Sequence, residues 1–310
     1  MGSIDGGRAW TKEEEECFLN LKSEGRTYME ISKTLGRSWD SIRGHFRRMY
    51  RNQSMPRPSM IASPHARYLD PLVMEGDAVI YPDVEMPFHN ADFVNRVLDL
   101  GAAWDIENAI LAGDMLHMDT LSGWQPNWVA EGEDDTTPNF SREMREAQAT
   151  VSVFDQAYDD IHCILGNHEG RLLRQMQTPL FPAEILKHLG REDKPKWKIL
   201  PFYHSLLLSG GQLWRVTHPS FATKFSAKKL CSKYICHIAM AHSHHWAMTM
   251  DASANFFAVE MGCCVDEARL PYASQRDNAQ DQHVLGALIV RDGKPYLLSP
   301  WTDWKRMANL

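Results

Sequence analysis

Five short apolar runs each end in side chains of metal-ligand type, and this ordered series limits the folds open to the chain more than any other feature. The segments are YPDVEMPFHN, holding Asp83 and Glu85; LAGDMLHMD, holding Asp114; ILGNHEGRL, holding Asn167 and His168; VTHPS, holding His218; and MAHSHH, holding His242 and His244. Carboxylates bring charge and can bridge two cations, an amide oxygen adds a hard donor, and neutral imidazole adds nitrogen. One such segment says little, because a lone Gly-Asp is usually a turn and a lone His usually a packed side chain. Five in succession, each after an apolar strand, point to a pair of divalent cations held at strand ends.

These runs belong to a longer pattern that begins near residue 70. Strands are expected at 78–81, 109–112, 161–165, 213–217, 235–241, 256–261, 285–290 and 295–298, and helices at about 90–103, 141–159 and 222–233. Alternation of strand and helix in the first half argues for an α/β fold, and the all-strand tail for a mixed sheet. Residues 124–140 read as an irregular surface insertion, and 265–284 as a long polar connection.

Residues 1–52 read differently, as three short helices. Thr11 with Glu14 and Thr27 with Glu30 are capping boxes that open the first two, Gly25 and Gly36 stop them, and Ser38 can cap the third. Apolar positions recur at helical spacing: Phe18 and Leu21, then Tyr28, Ile31 and Leu35, then Ile42, Phe46 and Met49. Residues 53–69, with several prolines, read as a linker. Charge divides at the same place. Residues 1–69 hold 12 Lys and Arg against 8 Asp and Glu, whereas 70–310 hold 21 against 32. A basic module on an acidic body suggests that the small part handles an anion such as nucleic acid.

The composition, 44% hydrophobic and 24% charged over 310 residues, is that of a globular chain with one large domain and a small one. No apolar run reaches membrane-spanning length, so no membrane partner is expected. The polar, acidic start MGSIDGGRAWTKEEEE lacks the apolar core of a signal peptide. Six dispersed cysteines without a CxxC pair suit free thiols in a reducing, cytoplasmic compartment.

The N-terminal segment RAWTKEEEECFLNLKSEGRTYMEISKTLGRSWDSIRGHFRRM resembles helix-turn-helix modules of the Myb/SANT, homeodomain-like kind. The resemblance implies a third helix that lies in the DNA major groove, with Arg37, Trp39, Arg43, Arg47 and Arg48 as contact candidates. A protein-binding SANT-like role is the alternative, and Trp39 is also open to simple helix packing.

Over about 75–300 the chain resembles the calcineurin-like metallophosphoesterase superfamily, whose segments D-x-H, G-D-x-x-D, G-N-H-E, a lone H and G-H-x-H come in this order. DVEMPFHN, GNHEGRL and GALIVRDGKPYLLSP are closest to phage-type members in style. The resemblance implies a four-layer α/β sandwich over 70–310, two mixed β-sheets flanked by helices, after the small three-helix domain. It implies two divalent cations, Mn²⁺ foremost, with Mg²⁺, Fe²⁺ or Zn²⁺ as alternatives. Asp83 and His244 would bind one, Asn167, His218 and His242 the other, and Asp114 would bridge them. A water acidified by both ions would attack phosphorus in line, and His168 would protonate the leaving oxygen or stabilise its charge. Arg171 is a candidate clamp for a phosphate oxygen, or else a surface ion-pair partner.

Three positions depart from the pattern. Glu85 stands where the superfamily usually has His, and it can still bind a hard ion. His117 stands where the second Asp of G-D-x-x-D is expected, which puts the support of His168 in doubt, with Asp119 a possible substitute. Ala241 replaces the Gly of G-H-x-H. The expected function is a metal-dependent ester hydrolase, a DNA nuclease delivered by the helix-turn-helix module. The alternatives are a phosphatase or cyclic-nucleotide phosphodiesterase with a protein-binding N-terminal module, and a DNA-binding protein with a degenerate metal site.

Overall fold

The computed structural model describes residues 8–51, 72–118, 121, 140–171, 182–200, 203–220, 223, 225–270 and 283–310. The expected linker at 53–69, Asp119 and nearly all of the expected insertion at 124–140 lie outside the described residues, as do 271–282 of the polar connection. The chain divides into two compact units, Met1–Tyr68 and Leu69–Leu310.

The first unit is built from α1 (Lys12–Ser23), α2 (Tyr28–Leu35) and α3 (Trp39–Arg51). Both capping boxes form. The Thr11 and Thr27 hydroxyls accept the N–H groups of Glu14 and Glu30, and each glutamate carboxylate returns to the threonine N–H. Each box satisfies two backbone donors that a helix start leaves without partners. Gly25 and Gly36 take φ values of 79° and 60°, the left-handed backbone that ends a helix at little cost for a residue without a Cβ. The Ser38 hydroxyl accepts the N–H of Ser41 at the start of α3. Phe18, Ile31, Ile42 and Met49 form the core, with Trp10 stacked on His45 at 3.7 Å.

The second unit holds two mixed six-stranded sheets. One contains β2 (Ala78–Tyr81), β3 (Asn108–Ala112), β4 (Asp160–Ile164) and β5 (Trp197–Leu200), paired in parallel, with β11 (Ala287–Arg291) and β12 (Lys294–Leu298) added antiparallel at the β2 edge. The other runs in the order β1 (Val73–Glu75), β6 (His204–Ser209), β7 (Gln212–Thr217), β8 (His237–Met240), β10 (Phe257–Met261) and β9 (Trp246–Met250).

Side chains alternate across each strand, so the two faces of a sheet serve different cores. On β2, Ala78 and Ile80 join Ile110, Trp214, Val216 and Val259 between the sheets. Val79 and Tyr81 point the other way, onto Val97 of α4 (Ala91–Ala103) and Val151 and Phe154 of α5 (Phe140–Ala157). The short helix α6 (Pro182–His188) adds Ile185 and Leu186 to the same layer. On the far side of the second sheet, Ile238, Met240 and Ala258 meet Ala227 and Cys231 of α7 (Ser226–Tyr234). The layers therefore run helix, sheet, sheet, helix, and a short α8 (Trp304–Met307) follows β12. Burial of each large aliphatic or aromatic side chain in these layers is worth about 1.5–3 kcal/mol.

Strands β1, β5, β6 and β9 were not expected from sequence. In β6 the buried face is mixed: Ser205 and Ser209 are buried beside Leu207, while Leu208 is exposed. Hydrogen bonds make this possible, between Ser205 and His162 at 2.9 Å and from the Ser209 hydroxyl to Asp77 at 2.5 Å. Edge strand β9 exposes Trp246 and Met248, so its periodicity carries no inward signal. Among the described residues, no helix is long and apolar enough to cross a membrane.

Candidate metal centre

The five ligand segments follow the C-terminal ends of β2, β3 and β4 in one sheet and of β7 and β8 in the other. Within each sheet these strands are parallel, so their ends fall on one side, where open α/β sheets bind ligands. The segments also meet across the sheets. The His242 N–H donates to Asp83 Oδ2 at 2.9 Å, and His218 Nε2 lies 3.1 Å from Asn167 Oδ1.

The backbone at these ends is unusual. Asp83, Glu85, Asp114, His242 and His244 all have φ between 40° and 78°, in the left-handed region that non-glycine residues rarely adopt. Such conformations concentrate at functional sites, because only surrounding structure can hold them. Two glycines allow the approach. A Cβ on Gly166 would stand 2.0 Å from Asp114 Oδ1, and one on Gly113 would stand 2.3 Å from the His218 ring.

Two groups of side chains could hold metal ions, each with its ligand atoms within 4.8 Å of one another. Asp114, His218 and His242 form one, and Glu85, His117 and His168 the other. In the first, Asp114 Oδ2 faces His218 Nε2 at 3.5 Å. The other Asp114 oxygen accepts the His168 N–H at 2.8 Å. Asp83 and His244 form a contact beside Glu85: His244 Nε2 lies 3.3 Å from Asp83 Oδ1 and 3.6 Å from Glu85 Oε1. Glu85 Oε2 meets His117 Nδ1 at 2.6 Å and lies 3.9 Å from His168 Nδ1.

The charge balance suits cations. Burial opposes ionisation of Glu85, yet the imidazoles of His168, His117 and His244 hold its carboxyl down at about 2. Burial likewise opposes, and His218 and His168 outweigh it, at Asp114, which is held well below the usual carboxylate range. Burial should lower His218, but Asp114 and Asp83 raise it to about 9. His244 is raised despite burial by Cys263 and Asp83. His242 and His168 go the other way, lowered chiefly by burial. Carboxylates that draw protons onto imidazoles present the same demand that a divalent cation meets. Among the described residues, buried Asp83 Oδ1 accepts no hydrogen bond, and His168 Nδ1 makes none. Buried oxygen and nitrogen donors with this charge could hold metal ions.

Two residues of this region, Glu169 and His283, were not singled out from sequence, and His117 stood out only as a departure from the pattern. Buried Glu169 accepts the N–H groups of Leu116 and Gly166 at 2.9 and 2.8 Å, tying the loops after β3 and β4 together. Burial and Asp114 raise its carboxyl to about 7. His117 pairs with Glu85, and the His283 ring lies 4.3 Å from His244. Glu169 follows directly on Gly166, Asn167 and His168, which was its available signal; His283 had none. Arg171 donates to the His117 carbonyl at 3.0 Å. His245 turns away from the cluster toward Glu260, at 3.6 Å.

In the N-terminal unit, Trp39, Arg43, Arg47 and Arg48 are exposed on α3, and the Arg43 guanidinium lies 5.0 Å over the Trp39 ring. Arg37 is not part of this surface. It is 3% exposed, pairs with Glu14 at 2.8 Å, and donates to the carbonyls of Arg8 and Ala9. Its guanidinium thus ties the start of α1 to the turn before α3.

The sequence matches no protein-family model and none of the curated proteins with which it was compared.

Proposed function

We propose that this chain is a metal-dependent phosphodiesterase of the calcineurin-like metallophosphoesterase type, acting as a nuclease that its N-terminal helix-turn-helix unit brings to DNA. The observation that carries the reading is the adjacency of the two ligand groups, where Asp114 contacts His218 of its own group and His168 of the other. Asp114, Asn167, His218 and His242 would hold one divalent ion, and Asp83, Glu85 and His244 would hold a second beside it. When bound, the ions supply charge neutralisation for the phosphate and an acidified water.

The chain's own residues do the rest. Asp114 is oriented by the His168 N–H, and Glu169 fixes the two loops that carry these residues. In hydrolysis a water oxygen bonds to phosphorus while the bond to the leaving oxygen breaks. His168, whose rim of exposure is 7%, stabilises the charge that develops on that leaving oxygen through its N–H. Arg171, partly buried and anchored on the His117 carbonyl, places its guanidinium charge beside the loop that carries His168, where it would attract a phosphate oxygen. The exposed Trp39, Arg43, Arg47 and Arg48 supply phosphate contacts and a stacking surface that raise the local concentration of DNA at the site.

The test is cleavage of linear duplex and single-stranded DNA with Mn²⁺, beside a chromogenic diester and monoester. Cleavage of DNA and diester, abolished by chelator and by His168→Ala, is expected. Preference for the monoester with intact DNA would favour a phosphatase instead.

A further inference from the structure

Glu85 and His117 are the two ligand-region positions whose residue types depart most from the expected pattern, and they meet in the fold. His117 Nδ1 lies 2.6 Å from Glu85 Oε2, and the side chains are 0% and 1% exposed. Their backbones are locked together as well. The Glu85 N–H donates to the Asp114 carbonyl at 2.9 Å, and the His117 N–H to the Met86 carbonyl at 3.0 Å. The Arg171 guanidinium holds the His117 carbonyl from the other side. The pair is therefore presented rigidly, with little ordering left to do on ligand binding.

Glu85 uses its two oxygens on different imidazoles. Oε2 serves His117, while Oε1 lies 3.6 Å from His244 Nε2, itself 3.3 Å from Asp83 Oδ1. A continuous chain of donors thus runs from Asp83 through His244 and Glu85 to His117. Resting on the two-ion reading above, we infer that His117 is an ion ligand: Glu85 and His117 complete, with Asp83 and His244, the set that holds the first cation. His168, whose Nδ1 stands farther off at 3.9 Å from Glu85 Oε2, is left to face the substrate. The set combines carboxylate and imidazole donors, which suits Mn²⁺, Fe²⁺ or Zn²⁺ better than the oxygen-preferring Mg²⁺.

The experiment loads the full chain with Mn²⁺, removes free metal, and measures bound manganese by elemental analysis, with electron paramagnetic resonance to detect spin coupling between two ions. Wild type and His168→Ala should hold two coupled ions. His117→Ala should hold one, uncoupled, and the ion retained by Asp114, His218 and His242 reports that the fold survives. The reciprocal exchange Glu85→His with His117→Glu keeps one carboxylate and one imidazole and should again hold two. Two coupled ions in His117→Ala, at affinity within about twofold of wild type, would overturn the inference. So would loss of an ion in His168→Ala with none lost in His117→Ala. If His117→Ala fails to fold by circular dichroism, the exchange variant decides: two ions support the inference, and one ion in a folded exchange variant overturns it. Wild type holding fewer than two ions sinks the two-ion reading itself, a distinguishable result.

Discussion

Asp83 Oδ2 receives the His242 N–H at 2.9 Å, which joins the loop after β2 of one sheet to the loop after β8 of the other. One carboxylate oxygen thus holds the sheets' ends together while the second, Oδ1, faces His244. Asp83→Asn keeps an acceptor for His242 but removes the charge. In chelator it should still fold, because the acceptor that ties the two sheets through His242 is kept. Its Mn²⁺ affinity, measured by calorimetry, should fall by at least about tenfold. A large loss of stability in chelator, with unchanged affinity, would mean that Asp83 serves structure alone.

Gly166 lies where any side chain would strike Asp114. With a Cβ built 2.0 Å from Asp114 Oδ1 and 2.2 Å from its backbone nitrogen, Gly166→Ala must displace the residue shared between the two ligand groups. Overpacking of this kind costs about 1–3 kcal/mol. The expected outcome is a folded protein with a lowered denaturation midpoint that no longer gains stability when Mn²⁺ is added. Retention of the wild-type gain would show that the loop relaxes without moving Asp114.

Arg37 and Arg47 should separate by role although both are basic. Arg37→Ala removes the buried tie to Glu14, Arg8 and Ala9 and should lower the melting midpoint of the N-terminal unit by more than about 5 °C. Arg47→Ala is exposed and should leave that midpoint unchanged. It should instead weaken DNA binding and reduce the salt dependence by about one released counterion. Equal effects of both changes on melting would contradict the burial of Arg37.

His162 provides a pH signature away from the ligand loops. It lies on β4 between the sheets, 1% exposed, bonded to Ser205, and burial pushes its imidazole down to about 4, with Lys198 adding to the shift and Asp160 opposing it. A depressed imidazole is neutral in the folded protein and protonates more readily once unfolded. The unfolded state therefore binds the extra proton between pH 6.5 and about 4, and stability falls as pH drops through that window. The full effect is on the order of 3 kcal/mol. In chelator, His162→Gln should flatten the slope by up to about 1.4 kcal/mol per pH unit. An unchanged slope would place the titration elsewhere.

What the sequence determined by itself lies in short-range chemistry. The capping boxes at Thr11 and Thr27 span three residues, and both form. The apolar runs before Asp83, Asp114, Asn167, His218 and His242 are strands or lead directly out of them, because alternation along a strand is a local property. Residue type showed which side chains could act as ligands, and the fold brings Asp114, His218 and His242 together. Tertiary structure decided what depends on contacts between distant residues. Arg37 reads as one more surface cation until Glu14, 23 residues away, buries and neutralises it. Glu85 and His117 look like two separate anomalies until the loops after β2 and β3 set them 2.6 Å apart, across 32 residues of chain. Ser205 lies buried in β6, where His162 supplies its partner from the opposite sheet. A local pattern fixes which face a side chain takes on its own element. Only packing fixes what waits on the other side, and the burial of polar groups is set by that partner.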